Sequence, residues 1–85
     1  MLIHFTRKFA KQYDKADLKI KNAFQSRLKL FREDSFDPLL NNHSLQGKYL
    51  GYRSINVTGD LRAIYQKYDD LVIFVTIDSH SNLYG

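Results

Sequence analysis

Eighty-five residues, 44% of them hydrophobic and 26% charged, suffice for one folded domain and argue against a second domain or intrinsic disorder. The absence of cysteine excludes disulfides, thiolate metal sites and a cysteine nucleophile, and the three histidines show no metal-ligand spacing. The net charge of +4 is unevenly distributed, because residues 1–33 carry nine basic and only three acidic side chains. A basic half attracts a polyanion such as RNA, although a solvated helix surface explains the charge equally well.

The first half of the chain predicts a short strand followed by two helices. The apolar residues 2–5 fit an edge strand, and Thr6 can cap a helix of about 6–16 in which aromatic residues recur every four positions. Asp17 can cap a second, amphipathic helix that ends near Glu33. The connection between the helices is too short for a strand, so we expect a helical hairpin packed on one sheet.

The second half predicts a loop and then a meander. Residues 34–48 hold the only proline and several turn-forming residues, which favours a loop with one helical turn near Pro38. Three β-rich stretches with short connections follow, at about 49–57, 61–68 and 71–78. We therefore predict one α+β domain over residues 1–85, with an N-terminal edge strand and a two-helix hairpin packed on an antiparallel sheet of about four strands.

Alternation along the first of these strands gives it one polar face. Tyr52, Ser54 and Asn56 share that face, which we expect to meet a substrate, while Arg53 points to the other face and is interpreted as structural. Arg62, on the next strand, points to the same side as Asn56 if the hairpin register holds.

Four side chains of the second half fit metal-independent cleavage of RNA. RNA carries its own nucleophile, the ribose 2′-hydroxyl, so an enzyme must orient it, remove its proton, stabilise the phosphorane and protonate the leaving oxygen. We predict His80 as the general acid, His43 or Asp60 as the base, and Arg62 as the group that holds the phosphate. Each also has a structural interpretation: a surface histidine, a loop histidine bound to backbone, a turn aspartate and a cross-strand ion pair.

Three more side chains are predicted to contact RNA. Tyr84 would stack on a base, Lys48 would extend a basic and aromatic surface, and Asn56 lies on the polar strand face beside Arg62. Anchoring of the C-terminal tail in the core is the alternative for Tyr84. No metal and no cofactor are predicted, and the absence of a long apolar segment predicts a cytoplasmic protein without a membrane partner.

Five segments occur in a familiar order and spacing: His43-Ser44-Leu45-Gln46-Gly47, Gly51-Tyr52-Arg53, Asp60, Ile64-Tyr65 and His80-Ser81-Asn82-Leu83-Tyr84-Gly85. With them the chain resembles, over nearly its whole length, RelE/ParE-superfamily toxins of bacterial type II toxin-antitoxin systems, closest to the YafQ branch. The resemblance implies a small αα-then-sheet fold and a toxin that cleaves messenger RNA in the ribosomal decoding site. It also implies a cognate antitoxin as partner, in a possible toxin-antitoxin hetero-oligomer.

The resemblance assigns site residues position by position. His43, Asp60, His80 and Tyr84 match functional positions of the YafQ branch, whereas Arg62 matches a strand arginine used by RelE itself.

The sequence departs from the branch on the first long strand. Asn56 and Ser54 stand where YafQ-like chains have a histidine and an aspartate, so a general acid or base is missing at those places. Two alternatives follow. One is a non-enzymatic gyrase inhibitor of the ParE kind, and the other is a degenerate member that only binds an antitoxin or nucleic acid.

Overall fold

The structure, a computed structural model, describes residues 1–84 except for the side chain of Tyr84. The strands and helices are β1 (Leu2–Phe5), α1 (Arg7–Lys15), α2 (Leu18–Glu33), β2 (His43–Ser44), β3 (Arg53–Asn56), β4 (Leu61–Tyr68), β5 (Leu71–Ser79) and α3 (His80–Tyr84). The five strands form one sheet in the order β1-β5-β4-β3-β2. No helix within the described residues is long and apolar enough to cross a membrane.

The helical hairpin is confirmed, together with both of its caps. Thr6 Oγ1 accepts a hydrogen bond from the Phe9 N–H (3.2 Å), and Asp17 Oδ1 accepts one from the Ile20 N–H (2.9 Å). These side chains satisfy amide groups that the first turn of a helix leaves without a partner. As a result α1 and α2 each begin one residue after the predicted cap.

The α+β prediction is confirmed, but the sheet is mixed. β1 is an edge strand as predicted, yet it runs parallel to β5, with Leu2 opposite Leu71 and Phe5 opposite Phe74. The other neighbouring pairs are antiparallel. A parallel pair needs a long connection, and here the helices and the other strands supply it.

The predicted boundaries before β3 were wrong in two places. The first long strand begins at Arg53 rather than near residue 49, because Gly47–Tyr49 form a 3₁₀ turn and Gly51 has a φ of +90°. The predicted loop contains the helical turn, at Pro38–Leu40, but also the two-residue strand β2. A strand this short has no periodicity to detect.

The main core lies between the helices and one face of the sheet. Phe9, Phe24 and Phe31 of the helices meet Tyr65 and Phe74 of the sheet, and each of these side chains is at most 2% exposed. The Phe31 and Tyr65 ring centres are 5.1 Å apart, and those of Phe9 and Phe24 are 5.2 Å apart. Burial of each ring contributes roughly 1.5–3 kcal/mol, so this aromatic cluster fixes the hairpin on the sheet.

The opposite face of the sheet, called the outer face below, carries a smaller cluster. Leu45, Ile64 and Leu83 are buried there, and Tyr49 and Tyr52 pack against them. Leu83 belongs to α3, a helix that the sequence patterns did not predict. Thus α3 lies across part of the outer face.

Candidate active site

A row of three polar residues crosses the outer face. Asn56 on β3 lies opposite Arg62 on β4, and Arg62 lies opposite Asp78 on β5. Residues opposite each other in antiparallel strands share a face, with Cβ atoms about 4.5–5.5 Å apart. The predicted placement of Arg62 beside Asn56 is therefore confirmed, and a carboxylate that the sequence analysis did not single out completes the row.

The guanidinium of Arg62 is held over the turn between β3 and β4. Its Nη1 donates to the carbonyl oxygens of Thr58 (3.1 Å), Gly59 (3.2 Å) and Leu61 (3.1 Å). These contacts fix the cation before any substrate arrives, which lowers the entropy cost of using it in binding. A positively charged planar group on this face suits a phosphate oxygen.

The same turn is joined to the start of α3. The backbone N–H of His80 donates to the carbonyl oxygen of Asp60 at 2.9 Å, and both side chains are exposed. The side-chain hydrogen bond that closes the turn comes from Thr58, whose Oγ1 accepts from the Leu61 N–H (3.1 Å). Three of the four predicted catalytic residues, Asp60, Arg62 and His80, thus lie at one corner of the sheet.

His43 lies on the outer face but away from that corner. It is opposite Ser54, which places it two strands from Arg62, about 10 Å across the sheet and about 7 Å along it. Its Nδ1 is 2.7 Å from the Asn41 carbonyl oxygen. Because a carbonyl only accepts, Nδ1 carries the proton, which leaves Nε2 of the neutral ring as a proton acceptor.

The expectation that the whole polar face of β3 is open to a substrate was wrong for Ser54. That residue is 0% exposed, and its neighbour across the strands, Ile64, belongs to the cluster that includes Leu83 of α3. The Oγ of Ser54 and the Oδ1 of Asn56 are buried without a hydrogen-bond partner among the described residues. The alternation of residues in β3 predicted correctly that Ser54 lies on the outer face, but α3 covers part of that face.

Of the predicted RNA-binding residues, the structure describes the side chain of Lys48 but not that of Tyr84. Lys48 is exposed in the 3₁₀ turn Gly47–Tyr49, with its Nζ 5.3 Å from the centre of the Tyr49 ring, so it lies at the rim of the outer cluster. The side chain of Tyr84 lies outside the described part of the chain, and its stacking role stays a prediction. Within residues 1–84, no group of three or more His, Asp or Glu side chains is arranged to bind a metal ion.

Asp78 is the site residue that the sequence analysis missed. Its Oδ1 accepts hydrogen bonds from the Ser79 N–H (2.7 Å) and from Nδ2 of Asn82 (3.1 Å). The available signal was an isolated acidic residue at the end of an apolar strand, two positions before His80. Asp78 therefore connects the end of β5 to α3.

Arg53 lies on the face of β3 opposite to that of Asn56, as predicted. Its Nε donates to Oδ1 of Asn42 at 2.8 Å, and its guanidinium carbon lies 5.3 Å from the centre of the Phe36 ring. These contacts brace the segment that leads into β2.

Comparison with known proteins agrees with this architecture. The crystal structure of YafQ from E. coli strain BL21(DE3) is 24% identical with a TM-score of 0.76, and the match covers 98% of this chain and 97% of that chain. A copper-bound mutant toxin from Helicobacter pylori is 26% identical with a TM-score of 0.74, covering 99% of both chains. The E. coli DinJ-YafQ complex is 26% identical with a TM-score of 0.73, covering 98% of this chain and 97% of that chain.

The family comparison covers the whole sequence. None of the curated proteins compared with the chain matches it. The model of the family described as "Bacterial toxin of type II toxin-antitoxin system, YafQ" matches residues 1–85, which confirms the predicted resemblance. The chain therefore belongs to the YafQ family of bacterial type II toxin-antitoxin toxins.

Proposed function

We propose that this toxin is a ribosome-dependent, metal-independent endoribonuclease that cleaves messenger RNA and so inhibits translation. The observation that carries the proposal is the corner where Arg62 is fixed over the β3–β4 turn and the His80 backbone is bound to Asp60. The residues that carry an imidazole, a guanidinium and a carboxylate, His80, Arg62 and Asp60, lie close together at this corner. These groups suffice for cleavage of RNA by its own 2′-hydroxyl.

The proposed reaction is an in-line displacement at phosphorus. The 2′-oxygen forms a bond to phosphorus as the bond from phosphorus to the 5′-oxygen breaks, which leaves a 2′,3′-cyclic phosphate and a 5′-hydroxyl. Nε2 of His43 or the carboxylate of Asp60 takes the proton of the 2′-hydroxyl, and His80 donates a proton to the leaving oxygen. Arg62 stabilises the charge that develops on the phosphorane.

The orientation of the His43 ring suits the role of a general base. The hydrogen bond from Nδ1 to the Asn41 carbonyl leaves Nε2 as the acceptor, which is the form that a base requires. Asp60 is the other candidate, because it lies at the same corner as Arg62. Lys48, Asn56 and Tyr84 are proposed to contact the RNA around the scissile bond.

The remaining partners follow from the family and from the charge distribution. The DinJ-YafQ structure is a toxin-antitoxin complex, so we propose a cognate antitoxin and a hetero-oligomer for this chain. The ribosome supplies ordered messenger RNA, and the basic first half of the chain suits attraction to ribosomal RNA. A cytoplasmic location is proposed as well, because ribosomes and messenger RNA are found there.

Mapping of cut sites in a purified translation system tests the proposal. The same messenger is presented free and on translating ribosomes, and both fragment ends are analysed. We expect cuts only on ribosomes, with cyclic phosphate and 5′-hydroxyl ends. Addition of 1,10-phenanthroline, which removes transition metals but leaves the Mg²⁺ that ribosomes need, should not change the rate.

Two results would contradict the proposal. Intact messenger with inhibited DNA supercoiling would show a gyrase inhibitor, and RNA binding without cleavage would show a degenerate binding module. A preparation that arrests growth when expressed serves as the control for active protein.

A further inference from the structure

We propose that Asp78 is a positioning residue that holds α3, and with it His80, against the corner formed by Arg62 and Asp60. The proposal rests on the function proposed above and adds to it a residue that neither the motifs nor the comparison with relatives singles out.

Asp78 and Ser79 together bind the first turn of α3. Asp78 Oδ1 accepts from the backbone N–H of Ser79 and from the side-chain amide of Asn82, and Ser79 Oγ accepts from the backbone N–H of Asn82 (3.2 Å). Asn82 is thus held through both its backbone and its side chain. His80 and Ser81 lie between these attachments, so their backbone position depends on them.

The helix is too short to be stable by itself. It has five residues, and isolated helices shorter than about 12–15 residues are marginal in water. Its position therefore depends on contacts with the sheet. Besides those of Asp78, these contacts include the hydrogen bond from the His80 N–H to the Asp60 carbonyl and the burial of Leu83.

The position of Asp78 in the sheet links the attachment of α3 to the proposed site of RNA cleavage. Because Asp78 lies directly opposite Arg62, the residue that binds α3 is also the cross-strand neighbour of Arg62. A shift of α3 would thus change the distance from His80 to the phosphate that Arg62 is proposed to hold. Misplacement of a reacting group by about 1 Å can cost 10²-fold in rate.

The contacts of Asp78 suggest two substitutions that distinguish a positioning role from a role in proton transfer. The oxygen of Asp78 that accepts two N–H groups acts as an acceptor, and an asparagine amide oxygen accepts in the same way. An asparagine at this position should therefore preserve the attachment, whereas an alanine removes it. If Asp78 instead accepted a proton in the reaction, asparagine and alanine would be equally damaging.

The first test does not depend on activity. Hydrogen exchange of the α3 backbone amides is compared among wild type, Asp78→Ala, Asp78→Asn and Asp14→Ala, in which an exposed carboxylate of α1 is removed as the matched control. We expect at least tenfold faster exchange at Asn82 and Leu83 in Asp78→Ala alone, with unchanged exchange in β4. Unchanged α3 exchange in Asp78→Ala would overturn the proposal even if the protein proved not to be a nuclease.

The second test measures ribosome-dependent cleavage by the same variants. Asp78→Ala should cleave about 10- to 100-fold more slowly, Asp78→Asn should stay within about threefold of wild type, and Asp14→Ala should be unaffected. In a His80→Ala background, Asp78→Ala should add no further loss, because its effect passes through His80.

The outcomes separate the two proposals. Absence of cleavage by wild type would contradict the nuclease function, while the exchange result would still decide the attachment of α3. The positioning role of Asp78 would be overturned if Asp78→Asn and Asp78→Ala lowered the cleavage rate equally. A further loss of rate from Asp78→Ala in the His80→Ala background would also overturn it.

Discussion

The burial of Ser54 lowers the stability of the folded protein. Its hydroxyl is fully buried on the outer face without a partner among the described residues, and an unsatisfied buried polar group costs about 1–3 kcal/mol. Asn56 has a buried oxygen with the same deficit. Both residues stand where the YafQ branch is expected to have ionisable groups, so the outer face retains polar positions that do not serve the packing.

The first prediction concerns stability at Ser54. Ser54→Ala removes the unsatisfied hydroxyl with little loss of volume, and we expect the free energy of unfolding to rise by about 1 kcal/mol. Urea unfolding with an unchanged m-value measures this, with the exposed Ser44→Ala as a control that stays within about 0.5 kcal/mol. A loss of stability in Ser54→Ala would show that the hydroxyl makes a favourable contact.

The second prediction separates the charge of Arg62 from its shape. A lysine keeps the charge but cannot reproduce a planar group that donates to three carbonyls and still faces a phosphate. We expect cleavage to fall about 10-fold in Arg62→Lys and about 10²-fold to 10³-fold in Arg62→Ala. Arg32→Lys, on the exposed side of α2, is the matched control, and wild-type cleavage by folded Arg62→Ala would remove Arg62 from the site.

At the scale of elements, side chains of α1 and of its cap bind the backbone of β5 where the pairing with β1 ends. β1 pairs with β5 only as far as Phe74. Beyond it, Thr6 Oγ1 donates to the Val75 carbonyl (3.1 Å), and Gln12 Oε1 accepts from the Ile77 N–H (2.9 Å). Helix side chains thus replace a neighbouring strand, which matters because buried backbone groups need partners.

The third prediction tests this replacement. Gln12→Ala leaves the Ile77 N–H without its acceptor, so we expect a loss of about 1–3 kcal/mol in the free energy of unfolding. Gln25→Ala is the control, because Gln25 is exposed and donates to the Tyr13 hydroxyl, and it should cost less than about 0.5 kcal/mol. Equal stabilities for the two variants would contradict the role given to Gln12.

The elements that could be predicted were those with local signals. Thr6 and Asp17 marked the helix starts, and the alternation in β3 and β4, with the expected hairpin register, placed Asn56 and Arg62 on one face. The two-residue β2, the parallel partner of β1 and the five-residue α3 could not be predicted, because contacts distant in sequence determine them. The burial of Ser54 was missed for the same reason, and so was the link from Asp78 to α3.

At the scale of the whole molecule, two surfaces have different chemistry. The outer face carries His43, Arg62 and His80, whereas the helical layer carries the excess of positive charge. Exposed lysines recur along α1 at positions 8, 11 and 15. Contacts of lysines with phosphates add affinity without sequence preference, so this surface suits ribosomal RNA, whereas the outer face is the one proposed to act on the messenger.

The fourth prediction concerns this basic surface. Replacement of Lys8, Lys11 and Lys15 by glutamine should weaken ribosome binding and reduce the slope of log affinity against log salt by about 2–3. Lys67→Gln, an exposed lysine on β4, serves as the single-charge control and should leave the slope unchanged within error. An unaltered slope in the triple variant would show that these lysines only solubilise the protein.

The role proposed for His80 is that of the general acid of a ribonuclease site at the β3–β4 corner. The most direct measurement is the single-turnover rate of messenger cleavage on ribosomes for wild type, His80→Ala and His4→Ala, which removes an exposed histidine of β1. We predict that His80→Ala stays folded and cleaves about 10²-fold to 10⁴-fold more slowly, while His4→Ala matches wild type. Wild-type cleavage by folded His80→Ala would contradict the role of His80 as the general acid.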